Sequence, residues 1–299
     1  MRVLLSAAAS PAAISIVQHL QHLGHEVTGM DASLSAEPLG RAFCDHFYLA
    51  PLANALDYLP FLASLLAQVD VFLPFLDEEL VVLAEQGHQL PDALRARIAM
   101  SPPDVLLDCV DKSRFQTRCE MAGLPVAPRA RSHPAVFKPR FGRGGKGVLM
   151  LDDAAIFAAV QGRDGVIQQC VRGEEFTVDA VFDNAGRLLA TSARKRVLAA
   201  GVSTIGQVMP DTALHALAMR LGQVWPFRYA INFQVIRDVE GQDWLIELNP
   251  RLAGSALFSA KAGCDPFAAT LALMQGEAWA GQAHPLIVWR YWQDWVLDV

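Results

Sequence analysis

The chain has 299 residues, 53% of them hydrophobic, which is enough for a full core and more than one domain. Its 25 basic and 31 acidic residues give a net charge of -6 and leave no electrostatic footprint for nucleic acid. Five widely spaced cysteines without a Cys-x-x-Cys pair indicate neither a disulfide framework nor a zinc site. No stretch reaches the roughly 18 apolar residues of a membrane span, and the first residues lead into a strand and a helix rather than a cleavable signal. A cytoplasmic location is therefore expected.

Strands and helices alternate over the first hundred residues. RVLLS at residues 2–6 predicts a strand, and the helix that follows has a predicted buried stripe of Ile14, Val17, Leu20 and Leu23. Further strands are predicted at residues 25–31, 45–51 and 69–75, and further helices at about 55–68 and at 77–86. This order predicts a small parallel sheet with helices on both sides. The first turn, SAAAS, lacks the glycines of a dinucleotide site, so a nicotinamide cofactor is excluded.

A change of composition near residue 100 marks a domain boundary, and a glycine-rich stretch lies beyond it. AVFKP predicts a strand with Lys138 near its end, and residues 142–147 then hold four glycines together with Arg143 and Lys146. Such a loop can bring bare backbone N–H groups over phosphate oxygens. It is not a Walker loop, because that motif leads into a helix and this loop leads into the strand VLML. The alternative is a flexible hairpin tip without a ligand.

Residues 165–183 are predicted to form a strand, a linker and a second strand, which is the form of a hinge between two lobes. The backbone from Gln168 to Val171 would face a flat base, and Glu175 would accept hydrogen bonds from ribose hydroxyls. Downstream lies a run of three basic residues, Arg194, Lys195 and Arg196. Two interpretations of this run stay open, a solvated basic turn and a clamp for substrate or phosphate.

Residues 229–255 are predicted to form two strands joined by a two-residue turn at Glu240-Gly241. Positions paired in an antiparallel ladder have a constant sum, and side chains alternate between faces. The predicted pairs are Gln234 with Glu247 and Asn232 with Asn249. The apolar face would hold Ile231, Phe233, Val235, Trp244, Ile246 and Leu248. The opposite face would hold Asn232, Gln234, Glu247, Asn249 and Arg251.

The polar face of this hairpin indicates a charged ligand. Glu247, Asn249 and Arg251 place a carboxylate, a carboxamide and a guanidinium at every second position. They supply two oxygen ligands for magnesium and a cation for phosphate oxygens. An apolar strand that gives one face to such groups bears a desolvation cost unless the face meets something polar and charged, and a metal-bound polyphosphate fits. The alternative is a half-solvated hairpin with Glu247 and Arg251 in surface ion pairs.

The C-terminal tail is rich in tryptophan. Its indoles are spaced three apart, at Trp289, Trp292 and Trp295. We predict a strand followed by a short helix. Core packing explains the three indoles better than a binding platform does.

Several motifs follow one another over nearly the whole chain. Their order is DKSRF, FKP, the glycine loop, GEEFTVD, and FQVIRD followed by WLIELNPR. Together they resemble the ATP-grasp superfamily, in particular the branch similar to the carbamoyl phosphate synthetase large subunit and the D-alanyl-D-alanine ligases. The resemblance implies an α/β chain with a Rossmann-like pre-ATP-grasp domain at residues 1–100 and an ATP-grasp domain at 101–299. The latter would have a small glycine-loop lobe at about 109–170 and a larger metal-binding lobe at about 171–299.

The resemblance also implies a role for each motif residue. Lys112 and Lys138 would contact ATP phosphates, under a loop of Gly142, Gly144, Gly145, Lys146 and Gly147. Gln168, Gln169 and Val171 would line the adenine pocket, and Glu175 would bind the ribose. Magnesium, or manganese, would be held by Gln234, Glu247 and Asn249. The residues at the reacting groups would be Lys138, Arg194, Arg196 and Arg251, with Arg251 facing the γ-phosphate.

One position departs from many relatives, which have an acid where this chain has Gln234. The synthetase branch itself uses glutamine there, and a neutral carboxamide still offers an oxygen ligand. The departure leaves open whether one metal ion is bound or two.

The activity that the resemblance implies is an ATP-dependent carboxylate–amine ligase. An acyl phosphate would form first, and an amine would then displace phosphate to give an amide, with release of ADP and phosphate. Two alternatives stay open: a kinase or carbamoyl-phosphate-type phosphotransfer enzyme, and a non-catalytic ATP-binding regulatory protein. The partners would be small-molecule carboxylate and amine substrates, without nucleic acid or membrane, and the chain could form a homodimer.

Overall fold

A four-stranded parallel sheet forms the N-terminal part of the computed structural model, which describes residues 1–142, 144–200, 202–291 and 293–296. Its strands are β1 (Arg2–Ser6), β2 (Glu26–Asp31), β3 (His46–Leu49) and β4 (Val71–Leu73). Its helices are α1 (Pro11–His22), α2 (Glu37–Phe43), α3 (Tyr58–Leu66), α4 (Asp77–Gln86) and α5 (Asp92–Arg95). The strand order is β3-β2-β1-β4, and all neighbours run parallel. The predicted parallel sheet is therefore confirmed.

The buried stripe of α1 differs from the predicted one at Ile14 and Leu23. Ile16, Val17 and Leu20 are buried, and with Ala13 they form the i, i+3, i+4, i+7 pattern of a single helix face. Ile14 lies beside that face and is half-buried. Leu23 follows the last residue of the helix and is 38% exposed, so the prediction is wrong for both residues.

Two helices and a three-stranded antiparallel sheet follow. These elements are α6 (Pro103–Val110), α7 (Lys112–Met121), β5 (Ala135–Pro139), β6 (Leu149–Leu151), α8 (Ala154–Val160) and β7 (Gly165–Gln169). The sheet order is β6-β5-β7. The Asp111 carboxylate caps α7 by accepting from the backbone N–H groups of Ser113 and Arg114 at 3.0 and 3.1 Å. This cap fixes Lys112 at the first position of the helix.

The largest sheet has six antiparallel strands in the order β12-β11-β8-β9-β10-β13. These strands are β8 (Gly173–Phe182), β9 (Leu188–Ala200), β10 (Val202–Met209), β11 (Tyr229–Asp238), β12 (Asp243–Asn249) and β13 (Leu286–Trp289). The remaining helices are α9 (Thr212–Val224), α10 (Leu257–Lys261) and α11 (Pro266–Met274). One face of the sheet shares a buried cluster with α9, which includes Phe176, Val178, Leu217, Leu221 and Phe233. None of the helices in the described ranges is long and apolar enough to cross a membrane.

The β11–β12 hairpin has the predicted pairs but a different turn. Asn232 pairs with Asn249 and Gln234 with Glu247, as the constant-sum rule predicted. The N–H of Asp238 bonds the carbonyl of Gln242 at 3.0 Å, so the loop consists of residues 239–241. Within it, Gly241 has a φ of 84°, a conformation that favours glycine. The predicted two-residue turn is therefore wrong.

A β-bulge reconciles the longer turn with the predicted pairs. The register shifts between Gln234 and Val235, because Val235 pairs with Leu245 and leaves Ile246 as the extra residue. Leu245 is consequently fully buried in the core cluster. Trp244 and Ile246 are only half-buried, so their predicted place in the core is wrong.

The tryptophans of the tail are not core residues. Trp289, at the end of edge strand β13, is 71% exposed. Trp295 is 43% exposed, and its ring lies 6.1 Å from that of Phe43. The core prediction is wrong for both indoles, while Trp292 lies outside the described residues. The predicted strand is present, and the described residues after it contain no helix.

Candidate active site

A cavity of about 290 Å³ lies between the three-stranded and six-stranded sheets. Five segments line it: the start of α7, the end of β5 with its glycine loop, β8, β9 and the β11–β12 hairpin. The lining residues are Lys112, Lys138, Pro139, Gly142, Gly144, Gly145, Lys146, Val148, Glu175, Arg196, Gln234, Ile246 and Glu247. We call this space the main cavity. It brings together residues that the sequence predicted from separate motifs.

Lys138 enters the main cavity from the end of β5. Its Nζ donates to the carbonyl oxygen of Ile246, the bulged residue of β12, at 3.0 Å. Burial lowers the pKa of Lys138 to about 8, although the neighbouring Glu247 favours the charged form. The bulge that moved Ile246 out of the core thus provides the acceptor that positions this lysine.

The glycine loop has a backbone that only glycine adopts easily. The φ values of Gly142, Gly144, Gly145 and Gly147 are 125°, 62°, 74° and 76°. A Cβ on Gly147 would also lie 2.8 Å from Cγ of Pro139. The Lys112 Nζ donates to the carbonyl of Gly142 at 2.6 Å and ties the loop to α7. Arg143, predicted to add charge here, lies outside the described residues.

The predicted metal ligands lie together at the hairpin. Gln234 and Glu247 are cross-strand partners, and both line the main cavity. Asn249 lies one pair further along, where its Nδ2 donates to Oδ1 of Asn232 at 3.1 Å. A small adjoining recess is lined by residues including Asp77, Lys112, Glu247 and Asn249. The three oxygen-bearing side chains therefore border two neighbouring spaces that share Glu247 in their walls.

Arg251 lies just beyond this hairpin and is held by the N-terminal part of the chain. Its Nε donates to Oδ1 of Asp77 at 2.6 Å, and its Nη1 to the carbonyl of Leu252 at 3.2 Å. The two charged side chains are 12% and 16% exposed. A surface ion pair, the alternative for Arg251, is therefore wrong. Arg251 does not line the main cavity itself.

The three basic residues of β9 have different surroundings. Arg196 lines the main cavity and pairs with Glu175, the predicted ribose ligand. Its Nε is buried without a hydrogen-bond partner in the described structure. Lys195 pairs with Glu174 toward solvent.

Arg194 is 2% exposed and belongs to a buried cluster rather than to the main cavity. Its guanidinium pairs with Asp179 and donates to the hydroxyls of Ser255 and Ser259. Ser259 in turn donates to Asp179 at 2.7 Å. A solvated basic turn is thus the wrong interpretation for Arg194, and direct access to a ligand in the main cavity is closed to it.

The predicted adenine residues lie outside the main cavity. The Gln168 side chain is 4% exposed and donates to Oε1 of Gln116 at 2.6 Å. The backbone N–H of Gln169 donates to the carbonyl of Pro128 at 2.8 Å. Val171 is half-buried in the linker between β7 and β8.

A second cavity, of about 720 Å³, lies at the carboxyl ends of the four parallel strands. Its wall includes the turns after β1, β2 and β3 and the first turn of α4, with the carboxylates of Asp31, Glu78 and Glu79. Burial raises the pKa of Glu79 to about 7, against the opposing effect of hydrogen bonds from Ser6 and Tyr58. In open parallel sheets this edge, where strand order reverses, is the usual ligand position.

Comparisons with known proteins agree with this architecture. A family model described as ATP-grasp in the biosynthetic pathway with Ter operon matches residues 161–291. The Staphylococcus aureus N5-carboxyaminoimidazole synthetase complexed with ADP aligns over 96% of this chain and 81% of its own, at 15% identity and a TM-score of 0.74. The biotin carboxylase domain dimer of Hydrogenobacter thermophilus 2-oxoglutarate carboxylase, with MgADP, ADP and bicarbonate, aligns over 92% and 70%, at 17% identity and 0.69. The L-amino acid ligase from Bacillus licheniformis aligns over 95% and 74%, at 16% identity and 0.69.

The chain therefore has the ATP-grasp fold, and the predicted resemblance to the ATP-grasp superfamily is confirmed. The predicted α/β class is confirmed with it. Sequence identities this low establish the fold alone, so the chemistry has to be argued from the residues of this chain.

Proposed function

We propose that this chain is an ATP-dependent carboxylate–amine ligase. A substrate carboxylate oxygen attacks the γ-phosphorus of MgATP, and ADP leaves. An amine nitrogen then attacks the acyl carbon, phosphate leaves, and an amide forms after loss of a proton. Because this reaction consumes ATP, we also propose a cytoplasmic location. Its products are the amide, ADP and phosphate.

The composition of the main cavity carries the proposal. Two lysines, a loop of bare backbone N–H groups and a carboxylate–carboxamide pair converge there from segments far apart in the sequence. Phosphoryl transfer needs this combination because catalysis consists mainly of positioning and charge neutralisation. Two proteins with the same fold have been crystallised with ADP, which supports a nucleotide as a ligand of this chain.

The hairpin residues fit a hard divalent cation. Gln234 and Glu247 face the main cavity side by side, and each offers a side-chain oxygen. The side-chain amide nitrogen of Asn249 donates to Asn232, so the side-chain oxygen of Asn249 is the atom that would bind a metal. We propose that these three residues hold Mg²⁺ or Mn²⁺, which would neutralise phosphate charge when bound. Only one of the three ligands is a carboxylate. This favours a metal ion that is bound partly by phosphate oxygens rather than by protein ligands alone.

The other residues would bind and orient the substrates. Lys138, held by the Ile246 carbonyl, and Lys112 would offset phosphate charge, with the glycine loop above them. Glu175 would reach the ribose after Arg196 releases it, and Arg196 would turn toward phosphate or substrate. We keep the backbone of residues 168–171 as the proposed adenine contact. Arg194 is left out of the machinery because its hydrogen bonds are committed to the buried cluster.

The second cavity would receive the part of the substrates that does not react. The first turn of α4 lines both this cavity and the recess beside Glu247, which places the second cavity next to the proposed site. We also propose a homodimer, which light scattering would test.

The deciding experiment is a panel of amino acids and other small carboxylates, each with MgATP and excess hydroxylamine. The expected result for the right acid is ADP together with a hydroxamate, because hydroxylamine intercepts an acyl phosphate. AMP as the nucleotide product would overturn the mechanism. ADP with a stable phosphorylated product and no amide would favour the kinase alternative, and absence of turnover with retained MgATP binding would favour the regulatory one.

Glu247→Ala tests the metal assignment in the same assay. Mass action makes a ligand at a hundredfold excess over its dissociation constant stabilise the native state by about 2.7 kcal/mol. We expect MgADP to raise the melting temperature of wild type and of the control Glu240→Gln, whose side chain is exposed at the hairpin tip. Glu247→Ala should lose most of that shift. An equal shift in all three proteins would show that Glu247 holds no metal.

A further inference from the structure

We infer that Asp77, the first residue of α4, is a positioning residue for Arg251, so that the N-terminal part of the chain completes the reacting site. The inference rests on the proposed function, which places Arg251 at the transferring phosphoryl group. Neither the motifs nor the family resemblance pointed to Asp77. The structure brings it to Arg251 across 174 positions of sequence.

The contact between the two side chains is short, direct and shielded. The Arg251 Nε lies 2.6 Å from Oδ1 of Asp77, and the side chains are 12% and 16% exposed. Charge-assisted hydrogen bonds of this kind are about twice as strong as neutral ones. Asp77 therefore fixes the orientation of the guanidinium.

The contact with Asp77 uses one of the N–H groups of Arg251. A guanidinium has five N–H groups. In the described structure the Nε group donates to Asp77 and one Nη1 group to the Leu252 carbonyl. In the proposed function the Nη2 end of the guanidinium would bind a phosphoryl or carboxylate group.

Asp77 also borders the space where the metal ligands lie. It lines the small recess together with Lys112, Glu247 and Asn249. Next to it on the same turn, Glu78 and Glu79 line the second cavity. The turn that holds Arg251 therefore borders both the small recess and the second cavity.

The test measures binding of MgADP with aluminium fluoride, which imitates the transferring phosphoryl group, and binding of MgADP alone. The variants are Asp77→Asn, Asp77→Ala and Arg251→Ala, with Glu85→Gln as the control because its side chain is exposed on the same helix. We expect the aluminium fluoride complex to bind Asp77→Asn about tenfold more weakly than wild type and Asp77→Ala up to about a hundredfold more weakly, as for other residues that orient a ligand. Binding of MgADP alone should change less than about twofold in the two Asp77 variants, because neither Asp77 nor Arg251 lines the main cavity.

Chemical rescue separates positioning from a purely structural role. Guanidinium chloride at millimolar concentration should restore aluminium fluoride binding to Arg251→Ala, because Asp77 can hold the free ion. It should not restore binding to the double variant Arg251→Ala/Asp77→Ala. Asp77→Asn keeps an acceptor oxygen, so it preserves the test if Asp77→Ala does not fold.

The outcomes separate this inference from the proposed function. Loss of aluminium fluoride binding in Arg251→Ala but not in either Asp77 variant would overturn the role of Asp77 alone. Rescue that is equal with and without Asp77 would do the same. Unchanged binding in Arg251→Ala would overturn the place given to Arg251 in the proposed function, and the inference with it.

Discussion

Two polar clusters share one face of the six-stranded sheet, and they show opposite uses of buried charge. Glu247 and Gln234 lie in one row with Thr177 and Arg194, as direct neighbours across β12, β11, β8 and β9. At one end of the row the side chains face the main cavity. At the other end the Arg194 guanidinium is enclosed by partners from the same chain. A sequence can predict which polar residues lie on one face of a sheet, but it does not show which of them bind a ligand.

What separates the two clusters is the supply of partners. Arg194 has Asp179, Ser255 and Ser259, so its burial leaves few hydrogen bonds unmade. In the part of the chain that the structure describes, Arg196, two residues further along β9, pairs with Glu175 and has a buried Nε without a hydrogen-bond partner. A satisfied cluster stabilises the fold, whereas an incompletely satisfied one has hydrogen-bonding capacity left for a ligand.

The largest effect that tests this comparison is expected from Arg194→Met. The substitution keeps most of the side-chain volume but leaves the Asp179 carboxylate, 1% exposed, without its cation. Removal of one partner of a buried ion pair costs about 3–5 kcal/mol. We expect a loss of this size in the free energy of unfolding, measured by urea denaturation. MgADP binding to the folded protein should stay within about twofold of wild type.

The double variant Arg194→Met/Asp179→Leu is the control for this prediction. Because it removes both charges, it should recover part of the lost free energy. A stable Arg194→Met that has lost turnover or nucleotide binding would contradict the comparison and return Arg194 to the substrate clamp that the sequence left open.

The sequence predicted the elements better than the contacts between them. The parallel sheet, the glycine loop and the pairs Gln234–Glu247 and Asn232–Asn249 follow from local patterns, and the structure contains them. The pairs were correct although the turn was not, because the bulge at Ile246 cancels the change in register. The longer turn and the bulge each shift the register by one residue in opposite directions. The rule based on the sum of paired positions therefore gives the right pairs without detecting either feature.

The rest of the site depends on packing between distant segments. Nothing in the DEELVV stretch links Asp77 to Arg251, since an acidic first turn is favourable for any helix. The enclosure of Arg194 depends on α10 and on the turn that leads into it, which bring Ser259 and Ser255 onto the sheet. Alternation along a strand predicts which face a side chain takes, but not which element covers that face.

A smaller effect, dependent on pH, is expected at Lys138. Its pKa is lowered to about 8 by burial, compared with 10.5 for an ordinary lysine. Phosphate groups favour the charged form, so MgADP affinity should fall above pH 8, by at most about tenfold per pH unit.

The effect of Lys138 on the stability of the protein changes with pH in the opposite direction. Between pH 8 and 10.5 the unfolded chain binds more protons at this residue, so the free energy of unfolding rises with pH.

Calorimetric titration of MgADP between pH 7 and 9.5 measures the first effect. Lys138→Arg is the matched variant, since arginine stays charged over this range, and its affinity should be flat above pH 8. A profile that falls equally in wild type and in Lys138→Arg would assign the titration to another group.

The smallest effect is expected at Lys195, between the two arginines. Its ion pair with Glu174 has side-chain exposures of 33% and 55%, and such pairs contribute at most about 1 kcal/mol because water screens them. Lys195→Gln should therefore change the free energy of unfolding by less than about 1 kcal/mol and MgADP affinity by less than about twofold. Arg196→Gln is the matched comparison, because its partner Glu175 faces the main cavity. If Lys195→Gln weakened MgADP binding as much as Arg196→Gln, proximity to the cavity would not be what distinguishes these residues, and the basic run would act as one electrostatic unit.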